Sequence, residues 1–251
     1  MADPAKLYLD LMKRVLTGTL EGREPDVEDW RFPQQFLEHY IRGPAYTMVP
    51  LVRLDNIEHC LNDVLARGVP GDVIETGVWR GGTTIFMRAL LKARGADERR
   101  VWVADSFEGL PEPDAEKFPN EARAHASKAM ATEFKHLAAS RPEVEANFAK
   151  FGLLDDHVQF LQGWFKDTLP TAPIERLAVM RLDGDYYEST MDALTNLYDK
   201  LSPGGYVVVD DYGEDAWTYC AKAVDEFRQA RGITAELKRV DPKCYYWQRA
   251  G

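Results

Sequence analysis

The chain has 251 residues, of which 45% are apolar and 29% are charged, and its formal net charge is −10. This length suits one large α/β domain over residues 1–251. The acidic balance argues against a nucleic-acid partner, because phosphate backbones attract basic surfaces. No run approaches the roughly 18 apolar residues of a membrane span, and the first residues lack a secretion signal. Three scattered cysteines without metal-ligand spacing are typical of free thiols, so we expect a cytoplasmic protein.

The first part of the chain, residues 1–60, is predicted to be a helical extension. Leu7, Leu11 and Val15 recur at intervals of four, with Tyr8 and Met12 beside them. This spacing predicts an amphipathic helix at the N-terminus.

Beyond residue 70 the pattern changes to short β-rich runs that alternate with helical stretches. The runs begin at Asp72, Val101, Val158, Leu177 and Tyr206. Near-continuous apolar strands separated by helices predict a doubly wound parallel sheet with helices on both faces. Two last runs, over 235–240 and 245–248, leave no room for a helix between them and predict an antiparallel hairpin. A mostly parallel sheet of seven strands that ends in such a hairpin is the Rossmann-like α/β fold of class I methyltransferases.

A long charged segment, residues 109–150, interrupts this alternation, with predicted helices near 121–139 and 142–151. So long an excursion at the carboxyl end of a strand more often covers a site than fills a core, so we expect a lid. The alternative is a peripheral element for packing or subunit contact. His125 and His136 lie in this segment and are candidates for acceptor recognition, although a plain surface role explains each more simply.

The first predicted strand runs into a glycine-rich turn that begins Glu75-Thr76-Gly77 and continues to Gly81 and Gly82. Ligands of an open parallel sheet bind outside the carboxyl ends of its strands, so this turn faces the predicted site. The glycines let the backbone come close to a ligand. Their spacing is not the G-x-G-x-x-G of dinucleotide binders, which disfavours a nicotinamide cofactor. The Glu75 carboxylate suits a cationic ligand such as S-adenosylmethionine, and a turn built for packing alone is the alternative.

Two further strand ends carry residues suited to adenosine. Asp105 and Ser106 follow the second strand, and a carboxylate there can accept both ribose hydroxyls. The third strand ends near Gly163 and Trp164, where a backbone turn and an aromatic side chain could frame an adenine ring. Core packing explains Trp164 alone equally well. The three strand ends together predict a site for S-adenosylmethionine.

Four carboxylates follow the fourth and fifth strands: Asp183, Asp185, Asp210 and Asp211. Like charges so close together shift each other's pKa values, and such a group normally binds a cation. Oxygen ligands without a neighbouring His or Cys favour a hard divalent ion, Mg²⁺ more than Ca²⁺ or Mn²⁺. The ion would lower the pKa of a bound acceptor hydroxyl, and a carboxylate not bound to it could take the proton. Each aspartate alone could instead cap a helix, and Arg181 in the fourth strand could balance their charge.

Five stretches together resemble the macrocin O-methyltransferase (TylF-type) family of S-adenosylmethionine-dependent sugar O-methyltransferases. In chain order these are residues 75–82, 102–107, 163–170, 182–185 and 210–212. The resemblance implies a Mg²⁺-dependent enzyme that methylates a sugar hydroxyl of a glycosylated natural product. It also implies a homodimer or larger homo-oligomer that assembles through N-terminal helices.

The resemblance implies roles for individual residues as well. The Mg²⁺ ligands would be Asp183, Asp210 and Asp211, and the general base would be Asp185. A segment that includes Thr47 and Met48 would close over the methionine part of the cofactor. The full set of implied cofactor contacts is Thr47, Met48, Glu75, Thr76, Gly77, Asp105, Ser106, Gly163, Trp164 and Asp183. The lid from residue 109 to 140 resembles the family least. Because this region would select the acceptor, the resemblance does not identify the particular sugar or hydroxyl.

Three other functions remain as hypotheses. A metal-dependent O-methyltransferase for a catechol-like or other phenol would share the cofactor and the metal, with a more acidic acceptor. A nicotinamide oxidoreductase would use the same type of sheet with a different glycine turn. A non-catalytic adenosine-binding or scaffold protein would have no need of four gathered carboxylates. The leading hypothesis is therefore a Mg²⁺-dependent O-methyltransferase whose acceptor is a small-molecule glycoside.

Overall fold

The computed structural model describes residues 3–22, 37–126, 137–213 and 218–251. The α-helices in these ranges are α1 (Pro4–Leu16), α2 (Leu51–Ala66), α3 (Gly82–Ala93), α4 (Pro119–His125), α5 (Arg141–Lys150), α6 (Phe165–Thr168), α7 (Tyr187–Leu197) and α8 (Thr218–Ala230). A π-helical turn covers Leu37–Ile41, and 3₁₀ turns cover Leu169–Thr171 and Tyr198–Lys200. The strands are β1 (Asp72–Thr76), β2 (Val101–Asp105), β3 (Val158–Gln162), β4 (Leu177–Leu182), β5 (Leu201–Val209), β6 (Lys238–Arg239) and β7 (Tyr245–Gln248).

These seven strands form one sheet in the order β3-β2-β1-β4-β5-β7-β6. Strands β1 to β5 are parallel, while β7 pairs antiparallel with both β5 and β6. The predicted class I methyltransferase fold is therefore confirmed. The strand order reverses between β1 and β4, and ligands of such sheets bind outside the carboxyl ends at this reversal.

The hydrophobic core lies on both faces of the sheet. One cluster packs α1, α2 and α3 on the face that includes Val73 and Val103, and the other packs α7 and α8 on the face that includes Ile74 and Met180. The alternation of these strand residues between two buried faces explains why the strands are apolar without a break. The C-terminal hairpin is shorter than predicted, because β6 covers only Lys238–Arg239.

The first helix buries only part of the apolar surface that its sequence pattern shows. Leu9, Met12 and Leu16 are buried in the core, whereas Leu7 is 59% exposed and Leu11 is 53% exposed. A surface helix packs one apolar stripe against the core. In α1 a second apolar stripe, which includes Leu7 and Leu11, faces solvent. The prediction of this helix is confirmed; Met12 faces the core, whereas Leu7 and Leu11 face solvent.

Residues 40–49, which we call the strap, lie against the glycine turn after β1. Arg80 of that turn donates hydrogen bonds of 2.8–3.1 Å to three backbone carbonyl oxygens of the strap, those of Tyr40, Ile41 and Ala45. The Gly82 N–H donates to the Tyr46 carbonyl oxygen at 2.9 Å. A Cβ atom on Gly82 would lie 2.5 Å from that oxygen, so the close approach requires glycine. The strap is thereby held beside the predicted cofactor site.

The predicted lid contains two described helices. Helix α4 begins at Pro119, before the predicted start at 121, and in the described part it ends at His125. Helix α5 begins after Ser140, whose hydroxyl accepts a hydrogen bond from the Glu143 N–H at 3.4 Å. His136 and the rest of the predicted helix over 127–136 lie outside the described residues, as does 23–36 of the N-terminal extension.

None of the described helices combines the length and the apolar character that a membrane crossing requires. Cys60, Cys220 and Cys244 are all buried and unpaired, which agrees with the prediction of free thiols.

Candidate active site

A pocket of about 730 Å³ opens at the carboxyl ends of the parallel strands, where the strand order reverses. Seven of the predicted site residues line it: Met48, Gly77, Asp105, Ser106, Trp164, Asp183 and Asp185. The pocket is large enough for a drug-sized ligand. Residues predicted from the strand ends therefore line this cavity.

The glycine turn packs directly against the neighbouring strand end. Gly77 has φ 83°, and a Cβ atom there would lie 1.8 Å from the Asp183 carbonyl oxygen, so only glycine fits. The Asp183 N–H in turn donates to the Thr76 carbonyl oxygen at 2.9 Å. The Thr76 side chain is fully buried below the turn. This packing places the glycine-turn side of the pocket next to the first of the clustered carboxylates.

Asp105 holds the turn through both carboxylate oxygens. They accept hydrogen bonds of 2.7 Å from the N–H groups of Val78 and Phe107. Burial raises the pKa of Asp105, although these hydrogen bonds oppose the shift. The neighbouring Ser106 hydroxyl donates to the Gly109 carbonyl oxygen at 2.8 Å, which connects the start of the predicted lid to the end of β2.

Four predicted cofactor residues do not line the pocket: Thr47, Glu75, Gly163 and the buried Thr76. Glu75 is 1% exposed, and its carboxylate accepts from the Arg181 guanidinium at 2.7 Å and from the Thr84 hydroxyl at 2.5 Å. Burial raises the pKa of Glu75 to about 7. The Thr47 hydroxyl lies 3.0 Å from that of Thr83, and Gly163 forms the turn before Trp164. These residues shape the wall, whereas the side chains of Met48, Asp105 and Trp164 line it.

Asp183, Asp185 and Asp211 form the acidic centre of the site. Each offers a carboxylate oxygen, and these oxygens all lie within 4.8 Å of one another. Burial and the neighbouring carboxylates raise the pKa of Asp183 to about 6 and that of Asp185 to about 8. The same causes raise the pKa of Asp211 well above its ordinary range. Its buried Oδ2 atom has no hydrogen-bond partner among the described residues.

Asp210 lies apart from this centre. Its Oδ2 atom accepts from Arg53 at 2.6 Å, and its Oδ1 atom accepts from Arg181. Burial would raise the pKa of Asp210, but the two guanidinium groups hold it below its ordinary value. The structure thus groups Asp185, rather than Asp210, with the other two predicted ligands. Since a carboxylate oxygen has two acceptor sites, a metal-binding role for Asp210 stays a prediction.

Arg181 is the buried cation beneath the site. It has no exposed surface and contacts Glu75 and Asp183, at 2.7 and 2.9 Å, as well as Asp210. Its charge therefore compensates part of the negative charge above it, as the sequence suggested. Removing one member of such a buried group typically costs about 3–5 kcal/mol, because its partners keep uncompensated charges.

Sequence reasoning missed a second cation, Arg53 of α2. Besides Asp210, it binds the Asp241 carboxylate of the C-terminal hairpin at 2.5 Å. No local pattern distinguishes Arg53 from other arginines, because its partners lie 157 and 188 positions away in the chain.

The outer half of the pocket is built from residues of the predicted lid and from α7. The Phe118 ring stacks on the Tyr187 ring, with centroids 4.8 Å apart and an interplanar angle of 29°. The Lys117 ammonium lies 3.7 Å from the Glu188 carboxylate. All four residues line the pocket, together with Trp79, Leu110, Pro111 and Phe165. His125 contacts the Tyr186 hydroxyl at 2.9 Å and does not line the cavity.

The comparisons with known proteins agree with this geometry. The family described as "Macrocin-O-methyltransferase (TylF)" matches residues 40–249. The chain is 50% identical to the 8-demethyl-8-(2,3-dimethoxy-alpha-L-rhamnosyl)-tetracenomycin-C 4'-O-methyltransferase of Streptomyces olivaceus, covering 98% of this chain and 94% of the relative. It is 45% identical to the mycinamicin III 3''-O-methyltransferase of Micromonospora griseorubida, covering 98% and 97%.

A solved structure supports the same assignment. The O-methyltransferase NovP superposes with a TM-score of 0.85 at 47% identity, covering 98% of this chain and 100% of NovP. The family match, the fold and the position of the pocket therefore support the same assignment. The chain belongs to the macrocin O-methyltransferase (TylF) family and is an S-adenosylmethionine-dependent O-methyltransferase.

Proposed function

We propose that this enzyme transfers the methyl group of S-adenosylmethionine to a sugar hydroxyl of a glycosylated small molecule, with Mg²⁺ bound at the acidic centre. The names of two relatives support the acceptor class, since one names a rhamnosyl derivative and both specify a numbered O-position. The observation that carries the proposal is the pocket itself. It runs from the glycine turn to the acidic centre and then to an outer half with aromatic walls.

The inner half of the pocket is proposed to bind the cofactor. Asp105 faces this half and would accept hydrogen bonds from the ribose hydroxyls. Trp164 would lie against the adenine ring, and Met48 on the strap would cover the methionine part. Glu75 would act from behind the wall by fixing Arg181 and the start of α3. Ser106, Gly163, Thr47 and Thr76 would hold the backbone of these segments.

The acidic centre fits a divalent ion. Three half-buried carboxylates converge there, and the buried Asp211 Oδ2 atom has no hydrogen-bond partner among the described residues. Hard oxygen ligands of this kind suit Mg²⁺. Asp183 and Asp211 would hold the ion, and Asp210 is the third predicted ligand. When bound, the ion would lower the pKa of the acceptor hydroxyl that it contacts.

Asp185 is proposed as the general base. It lies in the acidic centre and also lines the pocket between the cofactor half and the outer half. Its carboxylate would accept the proton that the acceptor hydroxyl loses as the oxygen–methyl bond forms and the sulfur–methyl bond breaks. A sugar hydroxyl is weakly acidic, so it needs both a base and charge stabilisation. A phenol would need less of each.

The acceptor class can be tested by mass spectrometry. The full-length protein is incubated with Mg²⁺, S-adenosylmethionine labelled at the methyl group, and matched panels of desmethyl glycosides and of catechols and flavonoids. We expect the label in the sugar fragment of a glycoside. Label on a phenolic oxygen alone would contradict the sugar proposal. Equal turnover after verified metal removal would contradict the role of Mg²⁺.

The assembly and the compartment are further parts of the proposal. We propose that two copies of the chain associate through the exposed apolar stripe of α1, where Leu7, Tyr8 and Leu11 face solvent. Such a contact would bury side chains that the single chain leaves exposed. Three unpaired cysteines suit a reducing compartment, so we propose that the enzyme acts in the cytoplasm.

A further inference from the structure

Helix α4 of the lid contacts the chain immediately after Asp185. Phe118, Glu121 and His125 are spaced by three and four residues, so they lie on one side of this helical segment. Phe118 stacks on the Tyr187 ring, and His125 contacts the Tyr186 hydroxyl. One side of the segment thus meets two consecutive residues that follow the proposed base.

Glu121 makes the central contact of this set. It is only 2% exposed, and its Oε1 atom accepts a hydrogen bond of 3.0 Å from the Tyr187 N–H. Tyr187 is the first residue of α7, and the N-cap residue Tyr186 provides no side-chain cap. A carboxylate at a helix N-terminus satisfies a free N–H group and interacts favourably with the helix dipole. The lid therefore supplies the cap that the local sequence of α7 lacks.

The backbone that carries Asp185 is strained. Asp185 has φ 57°, in the left-handed region that non-glycine residues rarely adopt. The next N–H, that of Tyr186, bonds back to the Gly184 carbonyl oxygen at 2.6 Å, so the turn is very tight. A conformation of this kind persists only where neighbouring contacts hold it. The cap on α7 is such a contact, and it lies two residues from Asp185.

We propose that Glu121 is a positioning residue for Asp185. By capping α7 from the lid, it fixes the start of the helix and thereby the direction of the Asp185 carboxylate toward the acidic centre. The inference rests on the proposed function in that Asp185 accepts the proton. The same lid segment also supplies Lys117 and Phe118 to the outer half of the pocket. One segment would therefore both line the proposed acceptor site and position the proposed base.

Three variants test this role. Glu121→Leu removes the acceptor atom but keeps a side chain of similar size, whereas Glu121→Gln keeps an oxygen that can accept from the Tyr187 N–H. Glu116→Leu is the matched control, because Glu116 is an exposed glutamate of the same lid segment. All three are compared with the wild-type enzyme by thermal melting, S-adenosylhomocysteine calorimetry and steady-state kinetics.

We expect Glu121→Leu to lower kcat about tenfold or more, since small displacements of a catalytic group have effects of this size. The KM for S-adenosylmethionine and the affinity for S-adenosylhomocysteine should stay unchanged, and Glu121→Gln should restore most of kcat. An equal loss in both Glu121 variants, or a loss of cofactor binding, would overturn the inference. So would a wild-type kcat in Glu121→Leu.

A second measurement does not depend on the acceptor. Hydrogen exchange of the backbone amides at 185–190 should become faster in Glu121→Leu, while exchange in β1 stays as in the wild type. Unchanged exchange at 185–190 would overturn the inference. Wild-type protein that methylates no glycoside would contradict the proposed function instead, and the exchange rates would then decide whether Glu121 holds this turn.

Discussion

At the scale of single residues, the acidic centre brings three half-buried carboxyl groups within a few ångströms of one another. Asp183, Asp185 and Asp211 have raised pKa values because burial and mutual repulsion both disfavour their charged forms. Arg181 offsets this charge from below. A bound cation would offset the rest. The metal-free and metal-loaded proteins should therefore differ in their response to pH.

The stability of the metal-free protein should fall as pH rises. The pKa of Asp185 is raised from 3.8 to about 8, so between these values the folded state binds more protons than the unfolded state. Stability then decreases with pH across this window. At pH 8 in chelator, Asp185→Asn should melt above the wild type, by about 2–4 °C for each kcal/mol gained. The difference should shrink at pH 5.

Melting curves at both pH values, with and without Mg²⁺, check this expectation. Asp156→Asn is the control, because Asp156 is an exposed carboxylate that lies just before the amino end of β3 and does not line the pocket. Adding Mg²⁺ at pH 8 should stabilise the wild type. A wild type that melts higher at pH 8 than at pH 5 in chelator would contradict the argument.

The proposed roles of two aspartates can be separated by substitution. Asp185→Asn should lower kcat by at least about 100-fold, the range for loss of a general base, while S-adenosylhomocysteine and Mg²⁺ still bind. Asp211→Asn should weaken Mg²⁺ binding, because its buried Oδ2 atom is a proposed ligand. Calorimetry with each ligand and steady-state turnover distinguish the two. Loss of Mg²⁺ binding in Asp185→Asn would make Asp185 a ligand instead.

At the scale of elements, the strap is attached to the glycine turn after β1 by the Arg80 side chain, in addition to the hydrogen bond from the Gly82 N–H. Arg80 donates to three of its carbonyl oxygens, and each such bond contributes about 1 kcal/mol. Arg80→Ala should therefore release Met48 from the pocket wall. We expect the affinity for S-adenosylhomocysteine to fall about tenfold or more, which corresponds to about 1.4 kcal/mol.

Arg99→Ala is the matched control for this prediction. Arg99 also donates to backbone carbonyl oxygens, those of Gly71 and Val69, but it lies at the opposite end of the sheet. Calorimetry should show the loss of affinity in Arg80→Ala alone. Equal affinities in the two variants would show that the strap does not contribute to cofactor binding.

The apolar stripe of α1 is the proposed dimer contact, and this can be tested by substitution. Leu7 and Leu11 are more than half exposed, whereas Leu9 on the opposite side is buried. The double substitution Leu7→Glu and Leu11→Glu should convert the proposed dimer to a monomer without unfolding it. Sedimentation velocity measures the mass, and circular dichroism checks the fold. A wild-type protein that sediments as a monomer would refute this contact.

At the scale of the whole molecule, the pocket joins three parts of the chain that are distant in sequence. The sheet supplies the strand ends, the strap supplies Met48, and the lid supplies Phe118. Arg53 links α2 to Asp210 and to the C-terminal hairpin through Asp241. The site is therefore completed only when both ends of the chain have packed against the sheet.

The sheet and most of the pocket wall could be predicted because their signals are local. Apolar runs separated by helical stretches specify parallel strands, and parallel strands bring their carboxyl ends to one edge. The residues immediately after each strand must then lie at that edge, as Gly77, Asp105 and Trp164 do. The same argument placed Asp183 and Asp185 in the pocket.

Only the tertiary structure decided which partners these residues have. Asp210 pairs with arginines, α1 buries Leu9 while Leu7 and Leu11 face solvent, and Glu121 caps a helix that begins 66 positions later. The sequence by itself determined the fold and the edge of the sheet at which the pocket lies, because periodicity and strand-end residues act over a few positions. The family followed from the resemblance of five stretches of sequence. Contacts between side chains far apart in the chain depend on how the elements pack, and no local pattern encodes that packing.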